Sequence, residues 1–246
     1  MRLILPPSET KRDGGADGSS LELDSLAFPG LTSQRAAAIA ALVKLSRSVG
    51  ESTTALGLGP TQRFEIDRNR VVRSASTMAA IDRYTGVLFE GLASESLDVG
   101  AHKWLARHVV VHSALFGLIG AGDRIPAYRL SHDSRVPGLA LRKHWAPAIA
   151  AELEAVDGLV LDLRSESYAH LGPRPAGSFY LRVVTEGPNG HKRALNHFNK
   201  KGKGEFVRAL ALAGGDHEHV DSVLAWASTN GIRLAHGTPG ELELTV

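Results

Sequence analysis

The chain has 246 residues, a formal net charge of +2 from 28 Lys and Arg against 26 Asp and Glu, and no cysteine. Without cysteine there is no disulfide framework, no thiolate metal ligand and no thiol nucleophile, so any chemistry must use oxygen or nitrogen groups or a cofactor. The near-neutral total charge does not by itself favour an anionic partner, and the length suits one large domain or two small ones.

The amino-terminal residues Leu3-Ile4-Leu5 predict a short buried strand that ends at Pro6-Pro7, because proline cannot donate a hydrogen bond to a neighbouring strand. This apolar stretch is too short for a signal peptide. The longest other apolar run, residues 109–121, is interrupted by His112 and Ser113 and is shorter than the roughly 20 residues that cross a bilayer. We therefore expect a cytoplasmic protein with no membrane partner.

Helical spacing dominates the first half of the chain, after a polar and glycine-rich loop at residues 8–20. Apolar residues from Ala36 to Val43 recur at helical intervals behind a candidate N-cap at Thr32 or Ser33, and this helix is expected to stop near Gly50. Further helices are predicted at residues 51–55, 61–71, 78–92 and 97–107.

Short apolar strands alternate with helices in the second half. Val109–Val111 and Leu159–Leu163 are predicted strands with a helix at residues 141–156 between them, which is typical of a crossover between parallel strands. Asn189-Gly190, within Gly187-Pro188-Asn189-Gly190, predicts a hairpin turn. The flanking and closing elements are predicted as strands at residues 179–184, 193–198 and 242–246 and helices at residues 204–213 and 220–229.

These elements predict one domain over residues 1–246, because no internal repeat, low-complexity segment or linker interrupts them. The predicted strands and helices are interspersed along the chain, so the predicted fold class is mixed α/β (α+β). We expect a mixed sheet flanked by helices, with a helical stretch inserted after the first strand.

The segment Ala55-Leu56-Gly57-Leu58-Gly59-Pro60-Thr61 lies between two predicted helices. Its glycines allow short helices to approach closely, and the amides that open the second helix can hold a phosphate oxygen. This pattern is typical of a helix-hairpin-helix-like element, which contacts the nucleic-acid backbone without reading bases. Candidate nucleic-acid contacts are Gly57, Gly59, Thr61 and Arg63. A plain turn with a glycine C-cap is the alternative, and the motif alone favours it.

Positive charge is concentrated in residues 191–208, which hold six Lys and Arg residues and a single acid, Glu205. Lys200, Lys201 and Lys203 are further candidate nucleic-acid contacts. They lie among glycines where a strand is predicted to give way to a helix, a geometry in which amides and lysines converge on an anion. The neighbouring His197 and Phe198 can stack on a base or cover the core. A solvated lysine-rich loop is an equally good interpretation.

Polar loops follow several predicted strands and offer groups for a binding pocket. A carboxylate base and an Arg that clamps an anion would suit an enzyme acting on a phosphorylated or nucleotide substrate. Solvated loops, and internal Arg–carboxylate pairs that only tie loops together, are the alternatives. The candidate pocket residues are Ser8, Glu9, Lys11, Tyr128, Arg129, Arg164 and Ser165.

The sequence does not match the residue spacing of several other catalytic, metal-binding and nucleotide-binding motifs. Ser113 lacks the Gly-x-Ser-x-Gly turn of α/β-hydrolases, and His217 and His219 lack partners at metal-site spacing. The glycine-rich loops match neither a phosphate-binding loop nor a dinucleotide fingerprint. We therefore predict no metal and no cofactor.

Taken in chain order, these segments resemble the YaaA family, which is associated with peroxide stress. The resemblance covers nearly the whole chain, and the order and spacing of the motifs together carry it. Many members begin Ser-Pro-Ala-Lys-Thr where this chain has Pro-Pro-Ser-Glu-Thr-Lys, which indicates a divergent branch. The segments that resemble the family are Leu3–Lys11, Tyr84–Leu88, Ser113–Ile119, Pro126–Leu130, Leu163–Tyr168 and His197–Gly204.

The resemblance implies a single mixed α/β domain that binds DNA through a helix-hairpin-helix element beside a positive cleft. It also implies a role in limiting oxidative damage, with lowered free iron. Carried onto this chain, the hairpin corresponds to Leu56–Arg63, where Gly57, Arg63 and Phe64 look like the family pattern.

The leading hypothesis is therefore a cytoplasmic DNA-binding protein of the peroxide-stress type that is largely independent of DNA sequence. The alternative is an enzyme that binds a small phosphorylated or nucleotide substrate between the Ser8–Lys11 loop, Arg129 and Arg164. A scaffold with an indirect effect on stress is a third reading.

Overall fold

The computed structural model describes residues 1–186, 192–193 and 196–246. The predicted turn at Gly187–Gly190 and the side chains of His197 and Phe198 lie outside the described residues. The strands are β1 (Arg2–Leu5), β2 (Met78–Ala79), β3 (Val109–Ser113), β4 (Gly117–Gly120), β5 (Arg124–Ile125), β6 (Val160–Asp162), β7 (Phe179–Glu186), β8 (Lys192–Arg193), β9 (Leu234–His236) and β10 (Glu241–Thr245).

The main sheet has the order β4-β3-β1-β6-β7-β10-β9, and β8 pairs with β7. Neighbours from β3 to β10 are parallel, whereas β4, β8 and β9 are antiparallel to their partners. Leu3 lies opposite Val109 on one side and Leu161 on the other. Continuous apolar runs form β1, β3 and β6 because both faces of a central parallel strand are covered. The predicted mixed α/β class is confirmed.

The direction of strand order reverses at β1, since the chain places β3 on one side of it and the later β6 on the other. In open α/β sheets such a switch point opens a crevice outside the carboxyl ends of the strands. The loops that follow Leu5 and Asp162 therefore meet at one edge of the sheet.

Helices cover the sheet and supply the inserted stretch between β1 and β3. The buried face of α6, for example, presents Ala101, Trp104 and Leu105 at helical spacing. The helices are α1 (Thr32–Leu45), α2 (Val49–Ala55), α3 (Phe64–Arg70), α4 (Ala80–Arg83), α5 (Val87–Leu92), α6 (Val99–His108), α7 (Leu141–Glu154), α8 (Glu166–Ala169), α9 (Asn196–Ala213) and α10 (Val220–Thr229).

Close packing of α5 against α9 explains the glycines of the basic segment. A Cβ atom on Gly91 would lie 2.6 Å from the Lys201 carbonyl oxygen, and one on Gly204 would collide with the Leu88 carbonyl oxygen. The prediction that Lys200–Gly204 joins a strand to a helix is wrong, because these residues lie inside α9. Their glycine spacing serves helix–helix contact.

Two other boundaries differ from prediction for local reasons. The predicted helix at residues 78–92 is divided into β2, α4 and α5, and Gly86 has a φ of +96° that no helix accepts. The predicted strand at residues 193–198 is wrong from Asn196 onward, because α9 begins there. Strand β4, which turns back from β3, was not predicted.

A fully buried arginine fixes the loop that follows β1. Arg83 donates hydrogen bonds to the backbone oxygens of Arg12, Gly14, Ser76 and Ile125 at 2.5–3.1 Å. In the part of the chain that the structure describes, no helix is long and apolar enough to cross a membrane.

Candidate functional site

A cavity of about 750 Å³ opens where the loops after β1 and β6 meet. Its walls combine the loop at residues 6–10, the start of α5, the loop after β6, strand β7 and one face of α9. Hydroxyl groups and cations dominate its polar lining. The polar and charged side chains that line it are Ser8, Glu9, Thr10, Thr85, Ser131, His132, Ser165, Glu166, Ser167, Tyr168, Tyr180, Arg182, Asn199, Lys200 and Lys203.

Lys11 shapes the loop after β1 from behind the cavity. Its Nζ donates to the backbone oxygens of Ser8 at 2.9 Å and Glu9 at 3.2 Å, and lies 4.1 Å from the ring centroid of Tyr128. Burial lowers the pKa of Lys11 to about 7, because desolvation disfavours the ammonium. Lys11 thus holds the backbone whose Ser8 and Glu9 side chains line the cavity, without lining it itself.

Arg129 is joined to the same loop by an ion pair. Its Nη2 donates to Glu9 Oε2 at 2.6 Å. Asn69 of α3 fixes the Arg129 backbone through two hydrogen bonds, one to its N–H at 2.7 Å and one to its carbonyl oxygen at 2.9 Å. Glu9 is therefore a paired carboxylate at the cavity edge, and Arg129 is the side chain that orients it.

Tyr128 lies deeper, in a chain of hydroxyl groups. Its OH is 2.6 Å from Ser113 Oγ and 2.8 Å from the Tyr84 OH. Burial raises the pKa of Tyr128 well above its ordinary value, so the phenol stays protonated. Tyr128 is the wall behind Lys11 and does not line the cavity.

Arg164, also proposed for the pocket, lies beneath it. Its guanidinium donates to both carboxylate oxygens of Asp162, at 2.9 and 2.6 Å, and both side chains are fully buried. It also donates to the Gly172 carbonyl oxygen at 2.7 Å and to His112 Nδ1 at 2.8 Å. Burial and the adjacent guanidinium hold the pKa of His112 well below its ordinary value. Arg164 therefore ties the loop after β6 in place.

The three lysines of the basic segment have three different surroundings. Lys203 is buried, lines the cavity and donates to the backbone oxygens of Leu163 at 3.0 Å and Arg164 at 3.3 Å. Lys200 is exposed at the cavity rim. Lys201 is exposed, does not line the cavity and lies 3.6 Å from Glu205.

Two side chains of β7 complete the wall and were not predicted from the sequence. Arg182 is held by two hydrogen bonds to Glu241, at 2.9 and 2.6 Å, which lower the pKa of that carboxyl. Tyr180 places its ring 4.8 Å from Lys203 Nζ. Their alternation in one strand is visible in the sequence, but only the position of β7 next to β6 brings them here.

Helices α2 and α3 are joined by the predicted glycine turn, in which Gly57 has a φ of +62°. The Gly57 amide donates to the Thr54 carbonyl oxygen at 3.3 Å, and the Gly59 amide donates to Gln62 Oε1 at 2.9 Å. Both glycine amides therefore have partners within the turn. Thr61 and Arg63 are exposed beside Phe64, whose side chain is 51% exposed.

One loop connects this turn with the cavity. The Arg135 amide donates to the Ala55 carbonyl oxygen at 2.8 Å, at the end of α2, and Arg129 is bonded to Asn69 of α3. Between these two anchors, Ser131 and His132 line the cavity. The loop at residues 129–135 thus contacts both α2 and α3 and also lines the cavity.

Among the described residues, no group of three or more His, Asp or Glu side chains is placed to hold a metal ion.

Comparison with known proteins places the chain in a family. The model of the peroxide stress protein YaaA family matches residues 1–229. The chain belongs to this family. It is 43% identical to a UPF0246 protein of Corynebacterium efficiens over 218 residues, covering 87% of this chain and 86% of the relative. It is 40% identical to a UPF0246 protein of Streptomyces coelicolor over 222 residues, covering 87% and 84%.

The segments that resemble the YaaA family converge on one place. Residues of Leu3–Lys11, Tyr84–Leu88, Leu163–Tyr168 and His197–Gly204 all line the cavity, and Tyr128 of a further segment backs it. Four segments that are far apart in the chain therefore contribute to one site of this YaaA-family protein.

Proposed function

We propose that this peroxide-stress protein binds DNA largely without sequence specificity, with the α2–α3 hairpin on the backbone and a nucleotide of the strand in the cavity. The observation that carries the proposal is the loop at residues 129–135, which contacts both helices of the hairpin and lines the cavity. Its role would be to limit oxidative, iron-linked damage to DNA.

The cavity has the size and lining for a nucleotide. Its volume of about 750 Å³ lies within the range of small-molecule sites. Lys200 offers positive charge to a phosphate, and the Ser8, Thr10 and Ser165 hydroxyls offer hydrogen bonds to a sugar. Because a paired base must first be unstacked, we expect tighter binding where a nucleotide is unpaired.

The hairpin supplies a helix-hairpin-helix-like contact to the backbone. Arg63 brings an exposed cation, and Thr61 an exposed hydroxyl, to the turn. The exposed Phe64 ring adds a surface on which an unpaired base can stack. Each phosphate that a cation neutralises releases counterions, so the affinity should fall with salt.

Fluorescence anisotropy with a labelled duplex that carries one unpaired nucleotide tests the proposal. We expect Lys200→Ala and Arg63→Ala each to weaken binding and to reduce the salt slope by about one. Lys201→Ala is the matched control, because it removes the same charge one residue away and outside the cavity. Unchanged affinity and salt slope in both Lys200→Ala and Arg63→Ala would contradict DNA binding at this surface.

An enzyme acting on a free phosphorylated small molecule is the second candidate. The cavity favours it, since its volume suits a small molecule and Lys200 at its rim suits an anion. Binding of a free mononucleotide in the same titration, without affinity for any DNA, would select this candidate over the first.

A further inference from the structure

The side-chain amine of Lys203 is held in one orientation at the cavity wall. The Nζ atom has three hydrogen-bonding positions. Two of them face backbone oxygens, that of Leu163 at 3.0 Å and that of Arg164 at 3.3 Å. Among the described residues, none has a hydrogen bond to the third position. Lys203 lines the cavity, so the position without a hydrogen bond is the one that a ligand there would use.

This arrangement suits the neutral amine as well as the ammonium. A neutral amine has two N–H bonds and one lone pair, so the two carbonyl oxygens can take both hydrogens and leave the lone pair for a ligand. Desolvation lowers the pKa of Lys203 to about 8. Near pH 7 about a tenth of such a lysine is neutral, a much larger share than for a solvated one.

The charged groups around Lys203 come from several elements. Asp162 of β6 and Glu166 of α8 favour the ammonium, whereas Arg182 of β7 opposes it. The Tyr180 ring lies against the same nitrogen at 4.8 Å. Asp162 is already saturated by Arg164, which limits how far it stabilises the Lys203 charge.

Neither Lys11 nor Lys200 shares this combination. Lys11 also donates to two carbonyl oxygens but lies behind the cavity against Tyr128. Lys200 lines the rim but is exposed. A buried amine open to a ligand is the arrangement that lysine Schiff-base chemistry requires.

We propose that Lys203 forms a Schiff base with the aldehyde of a phosphorylated sugar in this cavity, with Lys200 at its phosphate. The inference rests on the proposed function, because it requires a sugar phosphate in the cavity. An abasic nucleotide in DNA and a free sugar phosphate are the two sources of such an aldehyde.

The step balances without a further reagent. The neutral Lys203 amine attacks the carbonyl carbon, and the carbonyl π electrons move to oxygen. Both nitrogen protons leave with that oxygen as water, and the C=N bond replaces C=O. No oxidation or reduction takes place, and water reverses the reaction.

Borohydride trapping tests the proposal on the full chain, because borohydride reduces a Schiff base to a stable amine. The probes are an oligonucleotide duplex with one abasic site and, separately, glyceraldehyde 3-phosphate. We expect a covalent adduct that mass spectrometry of the digested wild-type protein maps to Lys203, with a yield that rises towards half-maximal near pH 8.

Two variants sharpen the result. Lys203→Arg keeps the positive charge but removes the nucleophile, so it should give no adduct, whereas Lys201→Arg should trap as the wild type does. An adduct that maps to Lys11, Lys200 or Lys201 in the wild-type protein overturns the assignment even if Lys203→Arg fails to fold.

The outcomes separate this inference from the proposed function. Binding of the abasic duplex without any adduct overturns the Schiff base and leaves DNA binding standing. An adduct with glyceraldehyde 3-phosphate alone, without affinity for DNA, supports the Schiff base and overturns DNA binding.

Discussion

Lys11 and Lys203 lie at the carboxyl ends of neighbouring parallel strands and make the same kind of contact. Lys11 donates to the two backbone oxygens of Ser8 and Glu9 after β1, and Lys203 donates to those of Leu163 and Arg164 after β6. Each also lies against a tyrosine ring. They differ in access, because Lys203 lines the cavity and Lys11 does not.

The comparison shows that a buried lysine is not by itself a functional signal. Burial lowers the pKa of both side chains, including that of Lys11, which does not line the cavity. At Lys11 the hydrogen bonds hold a loop. At Lys203 the corresponding hydrogen bonds hold an amine at the cavity wall. The position of each lysine relative to the cavity therefore distinguishes the two roles.

The largest effect is expected from removing the Asp162–Arg164 ion pair, which lies beneath the cavity that Lys203 lines. Asp162→Ala leaves the Arg164 guanidinium buried without its carboxylate, so we expect the free energy of unfolding to fall by about 3–5 kcal/mol. Urea denaturation measures this loss. Glu241→Ala is the control, since its partner Arg182 can reach water; an equal loss in both variants would contradict the special role of burial.

Replacing each lysine by methionine compares the two sites directly. Lys11→Met leaves two part-buried carbonyl oxygens without a donor, and we expect a loss of about 1–3 kcal/mol in the free energy of unfolding. Lys203→Met should cost at least as much, because both of its hydrogen bonds are buried. A clearly smaller loss for Lys203→Met in urea denaturation would show that water in the cavity replaces its hydrogen bonds.

Stability should depend on pH through the lowered pKa of Lys11. Between a folded-state pKa of about 7 and the ordinary lysine pKa of 10.5, Lys11 is largely neutral in the folded protein but protonated in the unfolded chain. Its contribution to stability therefore increases with pH across this window, by at most about 1.4 kcal/mol per pH unit.

Urea denaturation of the wild type and Lys11→Met at pH 7, 8 and 9 measures this dependence. The wild type should gain stability relative to Lys11→Met as the pH rises. A constant difference between the two proteins would show that the Lys11 pKa is not lowered.

The sequence predicted the fold wherever one local pattern decides the element. The predicted strands at Leu3–Leu5, Val109–Val111 and Leu159–Leu163 coincide with β1, β3 and β6, although β6 covers only Val160–Asp162, because short apolar runs suit a buried parallel sheet. Residues 200–204 were misread because glycine disfavours a helix, and the contact between α5 and α9 outweighs that preference. That contact joins segments more than 100 residues apart in the sequence, so no local pattern reveals it.

The site was predicted in part by the argument that polar loops follow parallel strands. Ser8, Glu9 and Ser165 line the cavity as that argument requires, and Arg129 contacts Glu9. The sequence does not show that the Arg164 guanidinium is saturated by Asp162, because that depends on which side chains the sheet buries. Contact between the hairpin and DNA stays a prediction.

The two lysine contacts also differ in how much chain must be made before they form. Lys11 bonds to carbonyl groups two and three residues away, whereas Lys203 bonds to groups 39 and 40 residues away. During synthesis the first loop can therefore close almost as soon as it emerges, but the amine reaches the cavity only after α9 docks. The site that we propose for Schiff-base formation therefore does not exist until the fold is nearly complete.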